Sequence, residues 1–153
     1  MSTKKDIRAL SEAQIVEILK EKGEPKFRAK QIYEWLWQKT AHNFDDMSNL
    51  SKPLRDWLNQ TFVINAVTIS DQQISNDKTI KCAMKLHDGN VVESVLIPTK
   101  TRMTACISSQ VGCSLTCKFC ATGKLKRLRN LNADEIYDQV ALVKNLAETK
   151  YSQ

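Results

Sequence analysis

The sequence predicts an α+β fold: a small helical module, then a β-hairpin, then one βα unit built around a cysteine loop. Three observations carry this reading. Up to about residue 60, apolar residues recur at helical spacing. From residue 62 the period shortens to two and β-branched residues dominate. From 111 to 129 the chain is rich in Gly, Cys and Lys/Arg, and a last helical pattern follows.

The first helix is expected over 11–22. Ser11 suits its N-cap, Ile15, Ile18 and Leu19 share a face, and Gly23 with Pro25 ends it. A second helix over 28–39 carries Ile32, Trp35 and Leu36. A third, over 52–60, begins with Pro53 in its first turn and turns Leu54, Trp57 and Leu58 inward. Trp35, Trp37 and Trp57 read as core residues of this module rather than platforms for bases. The strands are expected at 62–69, 79–86, 91–97 and 103–108. Ile80, Cys82, Met84 and Leu86 share one side of the second strand, and His87-Asp88-Gly89-Asn90 supplies the hairpin turn. Asn132 or Asp134 starts the last helix, with Ile136, Val140, Val143 and Leu146 facing inward. The expected domains are therefore 1–61, 62–102 and 103–153. One βα unit cannot bury both of its own faces, so a chain that stops at Gln153 reads as a fragment.

A chain of 153 residues, 42% hydrophobic and 26% charged, suffices for a real core. No apolar run is long enough for a membrane span, and the start MSTKKDIRALSE lacks the apolar stretch of a signal peptide. The expected location is the cytoplasm. The net charge of +6 favours a polyanionic partner.

The cysteines are Cys82, Cys106, Cys113, Cys117 and Cys120; their odd number and their clustering exclude a complete disulfide framework. Cys113, Cys117 and Cys120 form C-x3-C-x2-C. Three thiolates on one loop can hold three irons of a four-iron cluster and leave the fourth iron open. The alternative is zinc, which in a structural site needs a fourth ligand. That ligand would be Cys106, Cys82, His87 or His42, none at a familiar spacing. Glu93 stands among Val and Leu residues with no partner visible in the sequence, and reads as an exposed hairpin carboxylate. Cys106 reads as a small strand residue, and Cys82 as core.

With Phe119 just before the last cysteine, the motif resembles the radical-SAM signature. The flanks Ser108-Ser-Gln-Val-Gly-Cys113, Cys120-Ala-Thr-Gly123 and Arg129-Asn-Leu131 resemble the RlmN/Cfr branch of that superfamily, as does Val92-Glu93-Ser94-Val95-Leu96-Ile97-Pro98. Phe27-Arg28-Ala29-Lys30-Gln31-Ile32 and Asn43-Phe44-Asp45-Asp46-Met47-Ser48 resemble the branch's helical N-terminal module. The resemblance covers nearly the whole chain. It implies that 103–153 begins a radical-SAM α/β barrel, here incomplete.

It also implies an enzyme that methylates C2 of an adenosine in 23S rRNA, and of the adenosine beside the anticodon in tRNA. The cofactors would be a 4Fe-4S cluster on Cys113, Cys117 and Cys120, and S-adenosyl-L-methionine on the open iron, with an electron donor for the cluster as a further partner. Glu93 would act near the target adenine. Cys106 would be the strand cysteine that resolves an adduct between the base and a methyl-carrying cysteine, ending in a disulfide. That second cysteine belongs to a region this sequence lacks, so the chain alone is expected to be inactive. Lys26, Arg28 and Lys30 on the helical module, and Lys118, Lys124, Lys126, Arg127 and Arg129 on the loop, are the candidate RNA contacts. The branch often has a glycine- and aromatic-containing stretch before R-N-L, where this chain has Lys124-Leu125-Lys126-Arg127-Leu128. Two other readings remain: a noncatalytic RNA-binding module, and a zinc-binding adaptor. Within the branch, Cfr-type methylation of C8 is the near alternative.

Overall fold

The computed structural model of the protein describes residues 4–115 and 117–151. Thr116, inside the cysteine motif, lies outside the described residues, as do Ser152 and Gln153. The chain forms two compact units, Met1–Asn65 and Ala66–Gln153.

The first unit runs β1 (Lys5–Asp6), α1 (Glu12–Glu21), α2 (Phe27–Trp37), α3 (Lys52–Thr61) and β2 (Phe62–Val63). Ser11 caps α1 through a full capping box: its hydroxyl accepts from the Gln14 amide, and the Gln14 side chain accepts from the Ser11 amide. Gly23 closes the helix at φ +82°, where a side chain would be strained. The Glu24 amide then reaches back to the Leu19 carbonyl at 2.9 Å. Ile15, Leu19, Ile32, Leu36, Leu54 and Leu58 make the core, joined by Phe44, Met47 and Leu50 from the α2–α3 connection. Trp35, Trp37 and Trp57 are partly buried against it.

The expected strand at 62–69 is interrupted. Phe62 and Val63 pair in parallel with β1. Beyond them, side-chain carboxylates take the backbone donors: Asp6 accepts from the Asn65 amide at 2.9 Å, and Asp138 from the Val67 amide at 2.9 Å. A satisfied amide has no need of a ladder partner.

The second unit contains β3 (Thr68–Ile74), β4 (Ile80–Lys85), β5 (Val91–Pro98), β6 (Met103–Cys106), the short pair β7 (Gln110–Val111) and β8 (Arg129–Asn130), and α4 (Ala133–Tyr151). β3 to β6 form one four-stranded antiparallel sheet in sequence order. The hairpin is therefore the centre of a larger sheet, and the strand expected to open a parallel βα unit pairs antiparallel with β5. Ile80, Cys82 and Met84 of β4 and Val92, Ser94 and Leu96 of β5 face inward, in one core with Val143 and Ala147 of α4. Residues expected in separate segments, 62–102 and 103–153, thus share a core. Burial raises the pKa of the Cys82 thiol, against a smaller opposing effect of Lys150, as fits its role in packing.

α4 packs Ile136, Val143 and Leu146 on the core as expected, but not Val140. Its buried stripe is Glu135, Gln139, Val143 and Ala147, with Asp138 beside it, while Val140 is 45% exposed. Three of these side chains are polar because each satisfies a specific neighbour. Asp138 accepts from Val67, Gln139 binds Ser94 and Ser108, and Glu135 holds Arg129.

The Glu135 ion pair organises this end of the unit. Arg129 on β8 donates to both carboxylate oxygens of Glu135 at 2.7 and 2.8 Å, and twice to Asp88 in the β4–β5 turn at 2.8 and 2.6 Å. Glu135 also accepts from the Asn132 amide and lies 3.5 Å from His87. Burial opposes ionisation of Glu135, but the bonds from Arg129 and Asn132 outweigh it and lower its pKa. For Asp88, burial is likewise outweighed by the bonds from Asn90 and Arg129, which lower its pKa to about 2. The bond to Glu135 raises the pKa of Arg129 further above its usual value.

Arg129→Met strands a fully buried carboxylate. It is expected to destabilise the Ala66–Gln153 unit by about 3–5 kcal/mol in urea denaturation, and Glu135→Leu in the same chain should recover most of that. Both carboxylates have lowered folded pKa values, so their contribution is complete above the ordinary carboxylate range and is lost as pH falls. The urea midpoint is expected to drop between the usual Asp value of 3.8 and the folded value of about 2, more steeply in the wild type than in Arg129→Met.

Candidate active site

Strand parity decides which side chains meet. Val95 pairs with Cys106 and Lys81 with Val95, so Lys81, Val95 and Cys106 form a row on one face of the sheet. Glu93, two residues before Val95 on the same strand, shares that face. It is the face opposite the inward residues that pack with α4. Glu93 and Cys106 are both exposed there. The Glu93 carboxylate has a partner after all: Lys81 Nζ, at 3.1 Å. A half-exposed pair of this kind adds about 0–1 kcal/mol to stability. It places an ammonium beside the carboxylate.

The cysteine loop leaves the sheet after Cys106 and is closed at its base by β7 and β8. Further bonds tighten it: Leu128 amide to Val111 carbonyl at 2.9 Å, Cys113 amide to Leu125 carbonyl at 3.2 Å, and Cys120 amide to Cys117 carbonyl at 3.2 Å. Two glycines are required by space. A Cβ on Gly112, which also has φ +73°, would lie 2.2 Å from the Lys126 carbonyl oxygen, and one on Gly123 would lie 2.9 Å from that of Cys117.

Cys113, Cys117 and Cys120 are free and partly exposed. The Cys113 sulfur accepts from the Leu115 amide at 3.3 Å. Among the described residues, no three His, Cys, Asp or Glu side chains are gathered as a metal-ligand set. The donor chemistry nonetheless suits a thiolate-bound cluster. All three sulfurs sit on one loop, Lys124, Lys126 and Arg127 line a cleft with Cys113, and a negatively charged cluster is favoured by such neighbours. Around them Leu115, Phe119, Leu125 and Leu128 are exposed, Phe119 to 95%.

Two clefts flank the loop. One, of about 400 Å³, is lined by Val92, Glu93, Ser108, Gln110, Gly112 and Thr122 among others, and so puts Glu93 against the loop's inner wall. The other, of about 470 Å³, is lined by Cys113, Ser114, Gly123, Lys124, Lys126 and Arg127. Lys118, Lys124, Lys126 and Arg127 are exposed, as are Lys26 and Lys30 on the first unit. Two expected RNA contacts are engaged elsewhere. Arg129 spends its donors on Asp88, Glu135 and the Asn130 carbonyl. Arg28 donates to Gln31 and the Asn49 carbonyl and stacks on Phe27. Sequence reasoning missed Lys81, Ser108 and Gln139. The outward position of Lys81 follows from the alternation of β4, but its meeting with Glu93 needs the strand register.

The profile of the ribosomal RNA large subunit methyltransferase N-terminal domain matches residues 5–64. A probable dual-specificity RNA methyltransferase RlmN from Christiangramia forsetii is 61% identical over 142 residues, covering 93% of this chain and 40% of that protein. Its counterpart from Cytophaga hutchinsonii is 58% identical, over 97% of this chain and 40% of that protein. The crystal structure of a radical SAM methyltransferase from Sphaerobacter thermophilus superposes with a TM-score of 0.79 at 35% identity, over 95% of this chain and 43% of that one. The chain thus spans about two-fifths of the length of the curated relatives it matches. Matched along more than nine-tenths of its own length by these relatives, the chain corresponds to the N-terminal portion of an RlmN-type protein.

Proposed function

We propose that this chain supplies the helical RNA-facing module and the opening part of the catalytic domain of a radical-SAM methyltransferase. Its substrate is C2 of an adenosine in 23S rRNA, and of the adenosine beside the anticodon in tRNA. One observation carries the reading: Glu93 lies in the cleft formed with the cysteine loop and shares an open sheet face with Cys106. The names of the relatives, dual-specificity RNA methyltransferases, support the substrate class.

In this reading Cys113, Cys117 and Cys120 hold a 4Fe-4S cluster, and residues from 103 onward begin its barrel. When bound, the cluster with S-adenosylmethionine supplies the radical chemistry, fed by an external electron donor. The chain's own residues do the rest of the work visible here. Glu93, paired with Lys81, offers a carboxylate that accepts a hydrogen bond or a proton from an adenine lying in the cleft. Cys106 presents a thiol on the same face for exchange with a second cysteine. Lys124, Lys126 and Arg127 beside the loop, and Lys26 and Lys30 on the first unit, attract phosphates. No helix among the described residues is long and apolar enough to cross a membrane, and the proposed site of action is the cytoplasm.

Anaerobic reconstitution with iron and sulfide is expected to give a cluster signal in absorption and electron paramagnetic resonance, altered by S-adenosylmethionine and lost in a Cys113→Ala, Cys117→Ala, Cys120→Ala variant. A colourless chain with stoichiometric zinc would sink this reading in favour of an adaptor. In the complete gene product, Glu93→Gln is expected to leave the urea midpoint nearly unchanged. It should slow methylation of a 23S rRNA fragment by about 10²-fold or more.

A further inference from the structure

A buried carboxamide fixes the place where the sheet hands over to the cysteine loop. Gln139 on α4 is fully buried. Its Oε1 accepts from the Ser94 hydroxyl at 2.9 Å and from the Ser108 amide at 2.9 Å. Its Nε2 donates to the Ser108 carbonyl at 3.0 Å and to the Glu135 carbonyl at 3.0 Å. Both lone pairs and both protons of the amide are therefore used. Ser108 in turn donates its hydroxyl to the Glu93 carbonyl at 2.7 Å. β6 ends at Cys106, so the backbone groups of Ser108 are bonded to a side chain where a ladder would otherwise continue.

We propose that Gln139 is a positioning residue for the cleft. By holding Ser108 on both its amide and its carbonyl, it sets where the cysteine loop departs relative to Glu93 and Cys106. The inference rests on the methyltransferase reading above. Its physical content is that only a group with a donor and an acceptor side by side fits. An apolar residue of similar size fills the volume but frees Ser108. A carboxylate keeps the acceptors and loses the donor to the Ser108 carbonyl.

The test compares Gln139→Leu with Val143→Ala, which hollows the same helix–sheet core without touching the carboxamide. Two quantities are read on each: amide hydrogen exchange at Ser108 relative to the β4 amides, and the change that S-adenosylmethionine makes in the resonance spectrum of the reconstituted cluster. In Gln139→Leu, exchange at Ser108 should rise at least tenfold more than in β4, and the response to S-adenosylmethionine should weaken. In Val143→Ala, exchange should rise evenly and the response persist. Should Gln139→Leu fail to fold, Gln139→Met, a flexible side chain that also lacks the amide acceptor and donor, carries the same comparison. Exchange that rises evenly in the Gln139 variant, or a response to S-adenosylmethionine equal to wild type, overturns the inference. A wild-type chain that takes up zinc and never a cluster overturns the methyltransferase reading itself, and the exchange comparison still decides whether Gln139 fixes Ser108.

Discussion

The ion pair between Arg129 and Glu135 is the contact on which the second unit's functional end depends. Arg129 stands on the return strand of the cysteine loop, Glu135 on the first turn of α4, and Asp88 in the β4–β5 turn. One guanidinium therefore ties together the loop, the helix and the sheet. A fully buried carboxylate tolerates no loss of its partner, because its desolvation cost would then stand uncompensated. The loop is closed by the short pair β7 and β8 and a few further backbone bonds, and ordering a long loop costs closure entropy. The ion pair on β8 adds a side-chain restraint, and its bidentate geometry fixes direction as well as distance.

Above this base the sheet divides its labour by parity. One face carries Cys82, Met84, Val92, Ser94 and Leu96 into a core against α4. The other carries Lys81, Glu93 and Cys106 into the open. A one-residue slip of register would exchange the two sets, burying the carboxylate and exposing the core. Stability and chemistry thus rest on the same alternation, and the burial of one set holds the other in place.

α4 shows the same economy in a helix. An apolar stripe alone would pack on the sheet but would not dictate its rotation. Glu135, Asp138 and Gln139 each answer a particular buried donor or acceptor, and these polar contacts select one rotation. Val140, apolar and C-terminal to Gln139, faces out as a result.

Much of this was legible in the sequence. The capping box at Ser11, the Gly23 stop, the three helices, the alternation of Ile80, Cys82 and Met84 and the turn at Asp88-Gly89 are local signals, and local signals suffice where the chain interacts with itself over a few residues. The C-x3-C-x2-C spacing is equally local, and the cluster proposed for it is argued from that spacing. Tertiary structure alone decided that β3 and β6 flank the hairpin in one antiparallel sheet, that Lys81 meets Glu93, and that Arg129 turns inward to Glu135. It also decided that α4 buries Gln139 in place of Val140. Each of these depends on a partner many residues away, and a residue's spacing to its neighbours carries no record of which distant donor will need it. Glu93 is the clearest case. Its sequence neighbours mark it as a solvated carboxylate, and only the register of three strands and the closure of a loop make it the wall of a cleft.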